Sequence, residues 1–267
     1  MIDIGINLLH SQFDEDRKHV LERAVAAGVT TAVLTATDLH TAGSTQQFID
    51  AHSGTPTLFT TAGVHPHDAA GAPDDLAEQL EVLARHPSVV AIGEAGLDYH
   101  RNFSPRDVQR TVFEAQARLA ARLERTLFVH DRDSEGEVFE VLQASGNRPD
   151  QVIVHCFTGD GETLDAYLQA GYWVGITGWV CDKRRGAALR EIVTRIPLER
   201  LLIETDAPFL LPHNVPKSIE HPPRGRRNEP AYLGYVASAL ADLFEVSEAA
   251  LREQTAANAA RAFGFSR

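Results

Sequence analysis

Eight short apolar runs, separated by stretches of helical periodicity, constrain the fold of this chain more than any other feature. They lie near residues 2–6, 30–35, 58–64, 89–94, 126–130, 152–155, 172–176 and 201–204. A run of four to six β-branched and aliphatic residues without polar alternation is the pattern of a strand buried on both faces. The gaps read as helices. Between Ser104 and Leu123, apolar Val108, Val112, Ala115 and Leu119 recur at helical spacing. Ser104 is placed to cap that helix, Pro105 suits its first turn and Asp107 completes a capping-box pattern. Gly28 and Gly171 fit helix C-terminal stops. Eight β-then-α units predict an α/β fold of the (β/α)8 TIM-barrel type. The 267 residues, 43% of them hydrophobic, suit one barrel domain spanning 1–267.

Four of the runs end at a residue able to bind a metal: Glu94, His130, His155 and, just past the last run, Asp206. In a closed parallel barrel the C-terminal strand ends converge on one mouth, where these side chains could surround a cation. No thiolate belongs to the set, so a hard or borderline divalent ion is expected, with Mg, Mn and Zn all fitting. Such an ion can activate a water for hydrolysis, and a carboxylate beside it can take the proton. Asp206 is the candidate base, although a plain ligand role is equally open, and Glu94 shares the catalytic assignment. Gly63-Val-His-Pro-His67 brings two more imidazoles to a strand end. His65 reads as a contact to metal or substrate, or as a structural turn residue. Asp98 could orient a histidine or hold a second cation.

The remaining features bear on partners. A formal net charge of −12 argues against broad attraction to polyanions, yet Lys183-Arg184-Arg185 and Arg224-Gly-Arg-Arg227 form local basic clusters. Lys183 and Arg227 are candidate phosphate contacts, and Trp179, Tyr99 and Phe209 candidate base-stacking residues. Residues 207–228 contain five prolines and read as a long loop on the active face of a barrel, either a lid or a rigid crossover into a helix capped by Asn228. Cys156 and Cys181 form no metal or disulfide framework. With no apolar stretch long enough for a membrane span, the expectation is a soluble, cytoplasmic monomer.

Seven segments resemble the TatD family of metal-dependent deoxyribonucleases, within the amidohydrolase-like barrels: Asp3-Ile-Gly-Ile-Asn7, Ala62-Gly-Val-His-Pro-His67, Ala91-Ile-Gly-Glu-Ala-Gly-Leu-Asp98, Val154-His-Cys-Phe-Thr-Gly159, Gly175-Ile-Thr-Gly-Trp-Val-Cys181, Leu202-Ile-Glu-Thr-Asp-Ala-Pro208 and Arg227-Asn-Glu-Pro230. The resemblance implies a TIM barrel with divalent metal held by Glu94, His130 and His155, and Asp206 as ligand or base. It further implies 3′→5′ exonuclease activity on single-stranded DNA and RNA, linked to DNA repair or degradation. One departure stands out. Most of the wider family opens with His-x-His on the first strand, where this chain has Gly5 and Asn7, so one firm metal site is expected. Two other readings are an amidohydrolase acting on a small amide or ester, and a non-catalytic metal-binding adaptor.

Overall fold

The computed structural model describes residues 1–265. Eight strands form one sheet in sequential order, every pair parallel. They are β1 (Ile2–Ile6), β2 (Thr31–Leu34), β3 (Thr57–Ala62), β4 (Val89–Asp98), β5 (Thr126–Arg132), β6 (Val152–His155), β7 (Trp173–Ile176) and β8 (Leu201–Ile203). The first and last meet through a parallel bridge between Ile6 and Ala207. There the Asp206 N–H donates to Gly5 O at 2.9 Å and the Asn7 N–H to Ala207 O at 2.8 Å. These bonds bring the sheet round into a (β/α)8 TIM barrel.

The helices are α1 (Arg17–Ala26), α2 (Leu39–Ala51), α3 (Leu76–Ala84), α4 (Arg106–Arg122), α5 (Glu137–Ser145), α6 (Gly161–Ala170), α7 (Ala187–Ile192), α8 (Leu233–Phe244) and α9 (Glu248–Phe263). Gly28 and Gly171, with φ of +87° and +85°, end α1 and α6 as the spacing predicts. Ile4, Val33, Val90, Phe128, Ile153, Trp173 and Leu202 form one cluster. Residues of seven strands can share a cluster only inside the barrel. Ala259, Ala262 and Phe263 of α9 join them, so the C-terminal helix plugs the end opposite the strand C-termini.

Three local expectations change. β4 and β5 run on to Asp98 and Arg132, because Gly96, Leu97 and Asp98 pair with His130, Asp131 and Arg132 after a register shift between Ile92 and Ala95. Glu94 lies in that irregularity, the kind of bulge that re-aims a side chain beside a site. Ser104 does not cap α4: its hydroxyl donates to His67 O (2.9 Å) and accepts from Ala70 N–H (3.0 Å). The turn at residues 66–71 satisfies that hydroxyl and draws it away from the helix. Asn228 likewise is not a helix cap. Its amide donates to Thr205 O and accepts the N–H of Glu229, both at 2.9 Å, which ties the end of the long loop to the tip of β8.

Candidate metal centre

At the C-terminal mouth of the barrel lies a cavity of about 1010 Å³ whose lining includes Glu94, His130, His155 and Asp206. Three consecutive strands, β4, β5 and β6, and the segment that follows β8 deliver these side chains to one place. Glu94 is the hub. Its Oε1 lies 2.8 Å from His130 Nδ1, 2.8 Å from His155 Nε2 and 3.2 Å from His65 Nε2. One donor atom from each of His65, Glu94 and His130 falls within 4.8 Å of the others, so His65 enters the cluster beside the four residues read from strand ends. Burial alone would raise the Glu94 carboxyl, but the charges of His155 and His65 and hydrogen bonds from His130 and His155 hold it well below its ordinary value.

The histidines divide by what their second nitrogen does. His65 Nδ1 accepts the N–H of His67 at 3.0 Å, which puts the proton of the neutral ring on Nε2. His65 is thereby set to donate a hydrogen bond to Glu94 and is poorly suited to offer a lone pair to metal. His155 is the reverse case. Its Nδ1 faces Glu204 Oε2 at 3.3 Å, the carboxylate–histidine arrangement that frees the Nε2 lone pair. That lone pair and Glu94 Oε1 stand 2.8 Å apart, and two electron-rich atoms so close require a proton or a cation between them. His130 Nε2 is buried without a hydrogen-bond partner. The donors present therefore fit a divalent ion.

Glu204, absent from the residues read from sequence, is fully buried. Its Oε1 accepts the Cys156 N–H at 2.6 Å. Two glycines make room for it: a Cβ at Gly5 would overlap Glu204 Oε2, and one at Gly175 would stand 2.7 Å from Oε1. The space a side chain at position 5 would enter is thus filled by Glu204, a physical reason for glycine there. A second carboxylate, Glu204, at the end of the last apolar run and two residues before Asp206 was the available signal. Between them, Thr205 is clamped by Asp3, whose carboxylate accepts the Thr205 N–H at 2.9 Å and its hydroxyl at 2.6 Å.

Asn7 Nδ2 donates to Asp206 Oδ1 at 3.1 Å and orients that carboxylate. Desolvation, opposed by the charge of His155 and assisted by Glu94 and Glu204, pushes the Asp206 carboxyl up to about 8. A bound cation acts in the opposite direction. Asp98 accepts from His67 Nε2 at 2.7 Å and lies 3.7 Å from His130 Nε2, so its place is between these two rings.

The substrate candidates scatter. Trp179 lines the cavity, with the Arg185 guanidinium 4.8 Å from its ring centre. Phe209 lines it too and is 45% exposed. Tyr99 does not: it is buried, covered by Arg106 at 4.1 Å, and its hydroxyl donates to Glu137. Lys183 lines a neighbouring hollow instead of the metal cavity. Arg227 reaches the cavity wall, but its Nη atoms donate to Gln12 O, both Asp16 oxygens and Glu229 Oε1 at 2.6–2.9 Å. A guanidinium so committed anchors the loop and has little left for phosphate. Arg185, Arg224 and Arg226, read from sequence as members of the two basic clusters and not as individual contacts, line the cavity alongside it.

The Asp16–Arg227 pair carries a pH prediction. Hydrogen bonding from Arg227, opposed by burial and aided by the charge of Arg227 and a bond from Arg23, lowers the Asp16 carboxyl to about 2 from 3.8. A depressed folded-state value stabilises above the unfolded value and is lost as pH falls through the folded one. Asp16→Asn is therefore expected to cost about 2 kcal/mol above pH 5, with the difference from wild type closing between pH 4 and pH 2. Urea unfolding across that range checks it; a constant difference would show that the loss is one of packing.

Comparison with known proteins agrees with this architecture. A family model described as TatD related DNase matches residues 2–264. A 3′-5′ ssDNA/RNA exonuclease TatD from Citrobacter rodentium is 44% identical over 266 residues, covering 99% of this chain and 98% of the relative. The protein of the same name from Klebsiella pneumoniae is 44% identical over 265 residues, with the same coverage of both. Among solved structures, a TatD homolog from Escherichia coli k12 superposes with a TM-score of 0.88 at 25% identity, covering 100% of this chain and 98% of that one. Family match, identity and fold agree over nearly the whole length, and the chain belongs to the TatD-related DNase family.

Proposed function

We propose that this chain is a divalent-metal-dependent phosphodiesterase that removes nucleotides 3′→5′ from single-stranded DNA and RNA. The observation that carries this reading is the approach of His130 and His155 to one oxygen of Glu94 at 2.8 Å, at the mouth of an arginine-rimmed cavity. Relatives that are 44% identical bear the name of that activity. Glu94, His130, His155 and Asp206 would hold the ion, with His65 donating to Glu94 from beside it. When bound, the ion acts as a Lewis acid toward a phosphoryl oxygen and lowers the pKa of a water.

The protein's own groups do the rest. Asp206, oriented by Asn7, is placed to receive the proton of the attacking water. Glu204 holds the His155 ring in one orientation, and Asp98 does the same for His67. Arg185, Arg224 and Arg226 supply positive charge where the phosphodiester gathers negative charge. A cavity of about 1010 Å³ lies at the top of the range for small-ligand sites, which favours a strand end over a duplex. Magnesium is the proposed ion. The imidazole share of the donors also suits manganese or zinc, so all three belong in the test. Cytoplasmic residence and a monomeric state belong to the same proposal. No helix among the described residues is long and apolar enough to cross a membrane.

The test uses metal-stripped protein and a 5′-labelled single strand with Mg, Mn or Zn added back. A ladder shortening from the 3′ end is expected. Asp206→Asn should lower kcat by about 10²–10⁴-fold while oligonucleotide affinity stays within a few-fold. An intact oligonucleotide beside demonstrably bound metal would reject the nuclease reading and put the small-amide or ester hydrolase ahead. Failure to bind any divalent ion at neutral pH would favour the non-catalytic adaptor.

A further inference from the structure

The two basic clusters lie far apart in sequence, yet the barrel brings them to one place. Arg185, from the loop after β7, and Arg226, from the loop after β8, both line the metal cavity. The same two arginines also line two adjoining hollows of about 300 Å³ and about 780 Å³. Trp179 is shared by the metal cavity and the smaller hollow. Lys183 and Arg184 line the larger, outer hollow. The three spaces thus form one track leading away from Glu94, with arginines at every junction.

The track is positive in a chain whose net charge is −12. Its main carboxylate, Asp182, is buried and already held: Oδ1 accepts the N–H groups of Arg184 and Arg185 at 3.0 Å, and Oδ2 accepts Arg185 Nε at 2.5 Å. The side chains of Lys183, Arg184 and Arg226 are exposed and hold no carboxylate among the described residues. Exposed cations along a groove, with an aromatic ring shared by two of its spaces, are the features that bind a single-stranded polyanion through phosphates and stacking.

We infer that this track carries the upstream, 5′ side of a single strand whose 3′ end lies in the metal cavity. Its direction rests on the exonuclease reading; its existence as a phosphate-binding groove does not. Strands too short to leave the metal cavity gain nothing from it, and longer strands do. Lys183 and Arg184 touch only the outer hollow, so they separate the groove from the reaction site.

The experiment compares wild type with K183E/R184E on a three-nucleotide and a twelve-nucleotide oligothymidylate. Anisotropy of the 5′-fluorescein 12-mer is expected to show affinity weakened roughly tenfold or more, with the slope of log affinity against log salt reduced by about 0.7 per lost phosphate contact. Cleavage of the 12-mer should lose kcat/KM in proportion, while the 3-mer stays within about twofold. K183R/R184K, which keeps both charges, should retain near-wild-type binding. Equal binding of the 12-mer by wild type and K183E/R184E overturns the groove, as does equal loss on the two lengths. A wild type that binds the 12-mer through Lys183 and Arg184 but leaves it uncut would keep the groove and reject the nuclease reading.

Discussion

Replacing Glu94 by glutamine is expected to lower the rate of nucleotide release by about three orders of magnitude and to abolish tight divalent-ion binding. The substitution preserves size and removes the charge. Glu94 Oε1 is the atom on which three imidazole nitrogens converge within 3.2 Å, so no neighbouring residue can replace its role. A neutral amide there also leaves His130 and His155 without their shared anion, in a site too buried for water to compensate. Titration calorimetry with manganese, run beside the cleavage assay, gives a readout independent of turnover. Retained metal affinity with lost cleavage would move Glu94 from ligand to proton carrier. Unchanged cleavage would remove it from the site.

Gly5→Ala should destabilise the protein through one side chain, Glu204. The added carbon would overlap Glu204 Oε2, and Glu204 cannot swing aside without giving up the Cys156 N–H and His155 Nδ1. Overpacking costs about 1–3 kcal/mol, and a buried carboxylate deprived of partners adds about 1–3 kcal/mol. A melting temperature lower by roughly 5–15 °C is expected, with loss of metal affinity as the His155 ring loses its support. A double-mutant cycle identifies the cause. In the Glu204→Ala background the methyl has room, so Gly5→Ala should then cost about 1 kcal/mol or less. Additive losses would show that Gly5 is needed for backbone reasons unrelated to Glu204.

Several features of the fold were legible because they depend on local pattern. The buried strands betrayed themselves as unbroken apolar runs, and Gly28 and Gly171 marked helix ends through the positive φ that glycine adopts without strain. Glu94, His130 and His155 stood out because a charge or imidazole at the end of such a run needs a partner. Ser104 and Asn228 show the limit. Each has the residue type of a helix cap, but each is drawn to a partner on another segment, His67 O for one and Thr205 O for the other. A capping preference of about 1 kcal/mol yields to such long-range bonds.

Arg227 and Glu204 illustrate the same division at the site. As letters, Arg224, Arg226 and Arg227 are alike, and only the fold shows that Arg227 lies against Asp16 and Glu229 while Arg226 opens to the cavity. Glu204 looked like the end of a strand until the barrel closed and set it beside His155 and Gly5. By itself the sequence determined the strand and helix pattern, the barrel class, and which chemical groups the strand ends offer. Tertiary structure decided which of those groups meet, which arginines remain free for an anion, and which carboxylate fills the space beside Gly5. The reason is physical: periodicity and propensity act over a few residues, whereas hydrogen-bond partners and free space at the barrel mouth are set by segments distant in the chain, such as those of Asp3 and Thr205, 202 positions apart.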